Sequence, residues 1–191
     1  MNNGCIVRPK KAVLAMRGGS LRSMKPQRQA RYNTESLGNI YAFTMSDNVT
    51  QESGIGGLVN SVQASSEQFA SFYAFNTTTT EWISNSAGSP VSSWLRINLN
   101  FPIVVRAIAI TAGGNATICP KSWTWEGSND GSTWDVLDTR ANVANWVDTE
   151  RRYYTFLNGS AYLSYRINIT NVENTGFGTG YTAIDFLQLY D

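Results

Sequence analysis

The body of this chain alternates. In Trp94-Leu95-Arg96-Ile97-Asn98-Leu99 the apolar residues Leu95, Ile97 and Leu99 occupy every second position, so an extended segment has one apolar face. Val62-Gln63-Ala64-Ser65-Ser66 alternates in the same way and predicts an earlier strand. Val104 to Thr111 is a nearly continuous apolar, β-branched run, the pattern of a central strand. Ser122 to Glu126 and Thr133 to Leu137 flank Gly127-Ser128-Asn129-Asp130-Gly131-Ser132 and predict a hairpin. In its turn, Asn and Asp fold their side chains onto the local backbone and Gly accepts a positive φ. Tyr153 to Leu157, Tyr162 to Thr170 and Ala183 to Tyr190 complete the strands. Pro and Gly clusters punctuate the chain at short intervals, and no segment carries a strong helical period. This pattern predicts an all-β sandwich or barrel. There is no internal repeat, and Thr77 to Thr80 is the one low-complexity patch.

The amino-terminal part reads differently. Residues 1 to about 35 are basic and broken by Pro9, Gly18, Gly19 and Pro26, which predicts an extended arm with one short helical turn near Ala12 to Met16. Residues 36–57 hold one apolar stretch, Ile40-Tyr41-Ala42-Phe43, and then Gly54-Ile55-Gly56-Gly57, which reads as a linker. Alone, that region is too small to bury a core. The expected organisation is a basic arm and linker over residues 1–57 and a β-sandwich over residues 58–191.

Composition sharpens this picture. Of 191 residues, 42% are hydrophobic and 12% aromatic, enough for a core, while the 15% charged content leaves a surface of Ser, Thr and Asn. The net charge of +1 hides a division. Arg8, Lys10, Lys11, Arg17, Arg22, Lys25, Arg28 and Arg31 all precede the first acidic residue, Glu35, so the front carries +8 and the remainder −7. The absence of histidine removes Ser-His and Cys-His nucleophile pairs and imidazole metal ligands. Carboxylates alone hydrolyse glycosides, but no motif sets two of them on facing strands, so the reading is non-catalytic. Cys5 and Cys119 show no metal-site spacing and read as free thiols. No apolar run approaches the ~20 residues of a membrane span, and Ala12 to Met16 is too short for an export-signal core.

Several ordered segments carry a family resemblance. They are Ala64-Ser65-Ser66, Ala74-Phe75-Asn76, Trp82, Trp94 to Leu99, Ile108-Ala109-Ile110, Pro120, Trp123 to Trp134, Tyr165-Arg166-Ile167 and Ile184 to Tyr190. Together they resemble the discoidin or coagulation-factor 5/8 type C domain, a galactose-binding-like β-sandwich, over about 130 residues. The segment Gly127-Ser128-Asn129-Asp130-Gly131, followed by Trp134, is its most specific element. The variant looks most like modules of phage virion proteins and bacterial carbohydrate-binding modules. It lacks the terminal cysteines usual in animal members. The resemblance implies an eight-stranded jelly roll whose loops at one end bind glycans.

The resemblance also implies site residues. A structural calcium ion in many members maps onto Asn76, Thr80 and Asp185. Here Phe75-Asn76-Thr77 replaces the family's Phe-Asp-Gly, removing a carboxylate that calcium favours. The bland alternative is a metal-free, hydrogen-bonded loop clamp, so the expectation is no cofactor beyond that one candidate. For a sugar, an aromatic plate and amide or charged donors are needed. Phe177 and Asn174 in the loop Glu173 to Tyr181, with Phe69, Asn85, Asn115 and Lys121 from neighbouring loops, are the candidates. The remaining tryptophans at strand positions, Trp94, Trp123, Trp125 and Trp134, read as core, with Trp82 and Trp146 nearer loops.

The functional expectation follows. It is a non-catalytic virion accessory protein on a phage tail or capsid surface, made in the host cytoplasm and present in many copies. Its basic arm is held by other virion proteins, its domain loops meet a host-surface glycan, and it inserts into no membrane. The alternatives are a structural cement or adaptor protein without glycan binding, and a bacterial carbohydrate-binding module.

Overall fold

The computed structural model describes residues 39–78, 80–85, 92–173 and 180–191. The basic arm, Cys5, Asn174 and Phe177 lie outside the described residues. Within them the strands are β1 (Phe43–Met45), β2 (Gln51–Gly54), β3 (Val59–Ala64), β4 (Trp82–Ile83), β5 (Ser93–Ile103), β6 (Ala107–Thr111), β7 (Pro120–Ser128), β8 (Asp135–Arg140), β9 (Arg151–Thr155), β10 (Tyr162–Val172), β11 (Ala183–Ile184) and β12 (Phe186–Tyr190). Short 3-10 turns cover Ser71–Phe75 and Ala116–Ile118.

Two sheets make the sandwich. An antiparallel five-stranded sheet is ordered β3-β5-β10-β7-β8, and a three-stranded sheet is ordered β12-β6-β9. The alternation in the sequence sets the layers. Leu95, Ile97 and Leu99 of β5 are buried, while Trp94, Arg96 and Asn98 between them are half-buried on the outer face. Ile167 and Ile169 of β10, with Trp123 and Trp125 of β7, continue the inner face. Ile108, Ile110, Leu187 and Leu189 join the same apolar cluster from the smaller sheet. Trp123 meets Tyr154 of β9 edge-to-face at 5.0 Å, tying the sheets together, and Trp125 stacks on Tyr165 at 5.7 Å. This is the expected jelly-roll β-sandwich. The continuous apolar run in β6 has a simple cause: Ile108 and Ile110 face the core, and Ala107 and Ala109 on the other side pack with Tyr153 and Tyr190.

The hairpin between β7 and β8 forms as expected, with one difference. Gly131 takes φ +71°. Asp130 Oδ1 accepts from the Ser132 and Thr133 amides at 2.8 and 2.7 Å, and Ser128 Oγ accepts from the Gly131 amide at 2.9 Å. Asn129 does not fold back locally. Its Oδ1 accepts from the Leu163 amide at 3.0 Å, so it ties the turn to β10. The tryptophan expectations also divide. Trp123 and Trp125 are core, but Trp134 lies half-buried against the guanidinium groups of the paired Arg96 and Arg166, 5.2 and 4.1 Å from its ring. Trp94 is half-buried outside, whereas Trp82, beside a loop in sequence, is fully buried.

The boundary expected at 57/58 needs correction. Residues 43–54 are not a linker but the antiparallel hairpin β1–β2, and Phe43 and Met45 belong to the main core. Phe43 stacks on Phe75 at 5.9 Å. Gly54 belongs to this hairpin for a steric reason: at φ +101°, a Cβ there would lie 2.1 Å from the Ala42 carbonyl oxygen. The segment before β1 docks on the smaller sheet. Ile40 bridges Tyr190, the Tyr41 amide donates to the Leu189 carbonyl at 2.9 Å, and the Asp191 amide donates to the Asn39 carbonyl at 2.9 Å. Asn39 therefore sits at the Tyr190 end of β12.

Candidate functional site

At the other end of β12, beyond Phe186, several loops converge. The connection from β3 to β4 supplies Gln68 and Phe69, β4 and its approach supply Ile83 and Glu81, the connection from β6 to β7 supplies Gly114, Asn115 and Ile118, and Tyr181 precedes β11. They line an open cleft of about 620 Å³, within the size range of small-ligand sites.

Each wall has a local cause. The Gln68 and Phe69 amides both donate to the Ile83 carbonyl, at 2.8 and 3.1 Å, pinning the backbone while the Phe69 ring stays 46% exposed. Just after it, the Ser71–Phe75 turn is clamped from the amino-terminal hairpin. Asn48 Oδ1 accepts from Ser71 Oγ and the Phe72 amide, both at 3.0 Å, and Glu67 Oε1 accepts from the Ser71 amide at 3.0 Å. Asn115 caps the Ala116–Ile118 turn: its Oδ1 accepts from Thr117 Oγ1 at 2.6 Å and from the Thr117 amide at 3.2 Å. The Asn115 Nδ2 amide is then the part of the side chain with donors to offer a ligand. Asp148 Oδ1 holds the Ala116 amide at 2.9 Å, and buried Ile118 forms apolar floor. Trp82, with its indole N–H donating to the Ser66 carbonyl at 3.3 Å, fixes β4 so that its neighbours Glu81 and Ile83 project to the cleft side.

The site is acidic. Burial pushes the Glu81 carboxyl above the usual carboxylate range, Asp185 and Asp148 push it further, and the Gly114 amide draws it partly back. Burial also raises Asp185. Glu81 Oε2 is buried with no hydrogen-bond partner, and the Gly113 backbone packs so closely that a Cβ there would lie 1.3 Å from it.

Of the residues expected from sequence, Phe69 and Asn115 come together in this cleft. Asn85 does not line it; it is exposed, its amide donating to Ser66 Oγ at 3.1 Å. Lys121 does not line it either, because it lies within β7, its carbonyl accepting the Val143 amide at 2.9 Å. Glu81 and Ile83 were not anticipated. The available signal was Glu81 itself, the one acidic residue between Glu67 and Glu126. Of the calcium candidates Asn76, Thr80 and Asp185, the first is already engaged. Asn76 Oδ1 already accepts from the Thr78 amide at 3.0 Å and Thr78 Oγ1 at 2.6 Å, so the neutral oxygen meant for the ion closes a loop clamp instead. Among the described residues, no three acidic or cysteine side chains are grouped as metal ligands.

An antiparallel jelly roll with a loop-lined cleft at one end defines a binding module built on a rigid scaffold. The chain belongs to the F5/8 type C domain family, whose model matches residues 59–180. Among solved structures it is similar to the family 32 carbohydrate-binding module of Clostridium perfringens NanJ in complex with galactose. Identity is 20%, 69% of this chain and 93% of that chain are covered, and the TM-score is 0.54. It is also similar to chitosan-binding module 1 of a chitosanase/glucanase from Paenibacillus sp. IK-5, at 22% identity, 71% and 97% coverage and TM-score 0.56. A pectin-binding carbohydrate-binding module matches at 16% identity, 70% and 91% coverage and TM-score 0.53. No curated protein matches.

Proposed function

We propose that this protein is a non-catalytic glycan-binding component of a phage particle, on the tail or capsid surface, which attaches to a host-surface glycan. The observation that carries the glycan reading is the cleft itself: a half-exposed Phe69 ring on a pinned backbone, beside the Asn115 amide and Tyr181. A flat apolar plate under a pyranose, with polar donors at its rim, is what sugar recognition needs. Membership of the F5/8 type C family and likeness to sugar-binding modules support it. The neighbours' ligands, galactose, chitosan and pectin, differ in charge, so kinship alone names no sugar.

The particle reading rests on arrangement and charge. Asn39 and the cleft lie at opposite ends of β12, so a tether at the first leaves the second facing outward. The eight cations from Arg8 to Arg31 suit an acidic groove on a neighbouring subunit. Weak single sites would gain avidity from many copies.

Calorimetry and a glycan array with the full chain test the binding. Phe69→Ala is expected to weaken the best sugar by about tenfold or more. A folded full chain that binds no glycan would refute the reading and favour the cement alternative. Deleting residues 1–38 is expected to abolish incorporation into particles; normal incorporation would remove the anchoring idea.

A further inference from the structure

Glu81 is costly where it stands. It lines the cleft, yet Oε2 is buried without a hydrogen-bond partner. Its charged neighbours, Asp185 and Asp148, are both acidic. No described residue lining the cleft carries a positive charge: Gln68, Phe69, Ile83, Gly114, Asn115, Ile118 and Tyr181 are all neutral. The ion pairs among the described residues, Arg106–Asp191, Arg140–Asp138, Arg152–Glu150 and Arg166–Glu126, leave Glu81 out. A partly desolvated carboxylate without a counter-ion destabilises the empty domain, and a cation arriving with the ligand would relieve it.

We propose that the cleft selects a protonated amino sugar, a hexosamine unit with a free amine, with Glu81 as the counter-ion of its ammonium group and Phe69 as the plate beneath its ring. This rests on the glycan-binding reading above and specifies its ligand class. Oε2 fills the space a Gly113 Cβ would take and has no partner, so it is Oε1, the oxygen on which the Gly114 amide bears, that would meet the ammonium. The same three carboxylates repel uronic and sialic acids. A neutral sugar gains the plate and the Asn115 donors but leaves the charge on Glu81 unanswered. N-acetylation, which turns the ammonium into a neutral amide, removes the selected feature with little change to the ring.

The test is isothermal titration of the full chain with a glucosamine trimer, its fully N-acetylated counterpart, and galactose. The glucosamine trimer is expected to bind about tenfold or more tighter than the acetylated one, the scale of a charge-assisted hydrogen bond. Glu81→Gln, a near-isosteric change checked by circular dichroism, is expected to erase that preference, bringing the two trimers to within about twofold of each other. Equal affinity for the two trimers in the unaltered protein, which needs no variant, would overturn the inference while leaving glycan binding standing. A preference that survived Glu81→Gln would overturn it too. If none of the three bound and a wide glycan array were also blank, the parent reading would fall as well.

Discussion

Removing the β1–β2 hairpin is the sharpest test of how this domain is built. Its Met45 is fully buried, and Phe43 stacks on Phe75 in the main core. Truncating such side chains costs about 2–5 kcal/mol for Met→Ala and about 3–5 for Phe→Ala. The whole domain has only about 5–15 kcal/mol to lose. The deletion also frees Ser71 and Phe72 from their Asn48 clamp. Release from ordering the hairpin opposes this loss, so the deletion does not by itself isolate the packing. A single Met45→Ala has no such offset and isolates the packing: its Tm is expected to fall by roughly 4–20 °C, from about 2–5 kcal/mol at about 2–4 °C per kcal/mol at this size. Thermal and urea unfolding, followed by tryptophan fluorescence, would compare Met45→Ala, residues 39–191 and residues 58–191 with the full chain. Residues 39–191 should melt with the full chain, and residues 58–191 should be far less stable or unfolded. If residues 58–191 melted within about 3 °C of residues 39–191, the hairpin would be an accessory and the reasoning wrong.

Three further outcomes are expected. Gly127→Ala places a Cβ 2.5 Å from the buried Tyr162 ring, so it should cost about 1–3 kcal/mol as overpacking, read as a lower urea midpoint at unchanged slope. Asp130, held below the usual carboxylate range by the Thr133 and Ser132 amides, contributes stability above its unfolded pKa and loses it as pH falls toward its folded value. The Tm gap between the protein and Asp130→Ala should therefore close in acid, as differential scanning calorimetry would show. Burial pushes the Cys119 thiol up to about 12 from 9.0, so its contribution fades as pH rises between those values. Native protein at pH 8 should leave it unalkylated by iodoacetamide, in a mass-spectrometric assay where the urea-unfolded chain reacts.

Much of the architecture was legible because it is written in nearest neighbours. The alternation of β5 states which residues face inward, and the Gly131 turn carries its own chemistry. Tertiary pairing is what the linear pattern hides. Phe43-Thr44-Met45 is too short to show a period, and its burial depends on Phe75, far along the chain. Asn129 looks like an ordinary turn residue until Leu163 offers it a distant amide. Trp134 is bulky enough to suggest core, but the two arginines across the outer face hold it instead. The cleft was legible in part for the same reason. Phe69 and Asn115 sit in loops that any jelly roll brings together, and the cleft contains both. Lys121 and Asn85 fall outside the cleft lining: Lys121 is taken into β7, and the Asn85 backbone amide is engaged by Ser66. Glu81 stands out in the sequence only as a lone acid; that no cation pairs with it among the described residues is a property of several loops at once.

The docking of Asn39 to Tyr41 along β12 has a mechanical consequence. A pull on Asn39, resisted by a ligand in the cleft at the far end, acts along the strand axis. The Tyr41–Leu189 and Asn39–Asp191 hydrogen bonds run across that axis, so both are strained together in shear rather than unzipped in turn. The hairpin that follows shares the load through Phe43 and Met45. Two hydrogen bonds loaded together in this way resist more force than the same two opened one after the other.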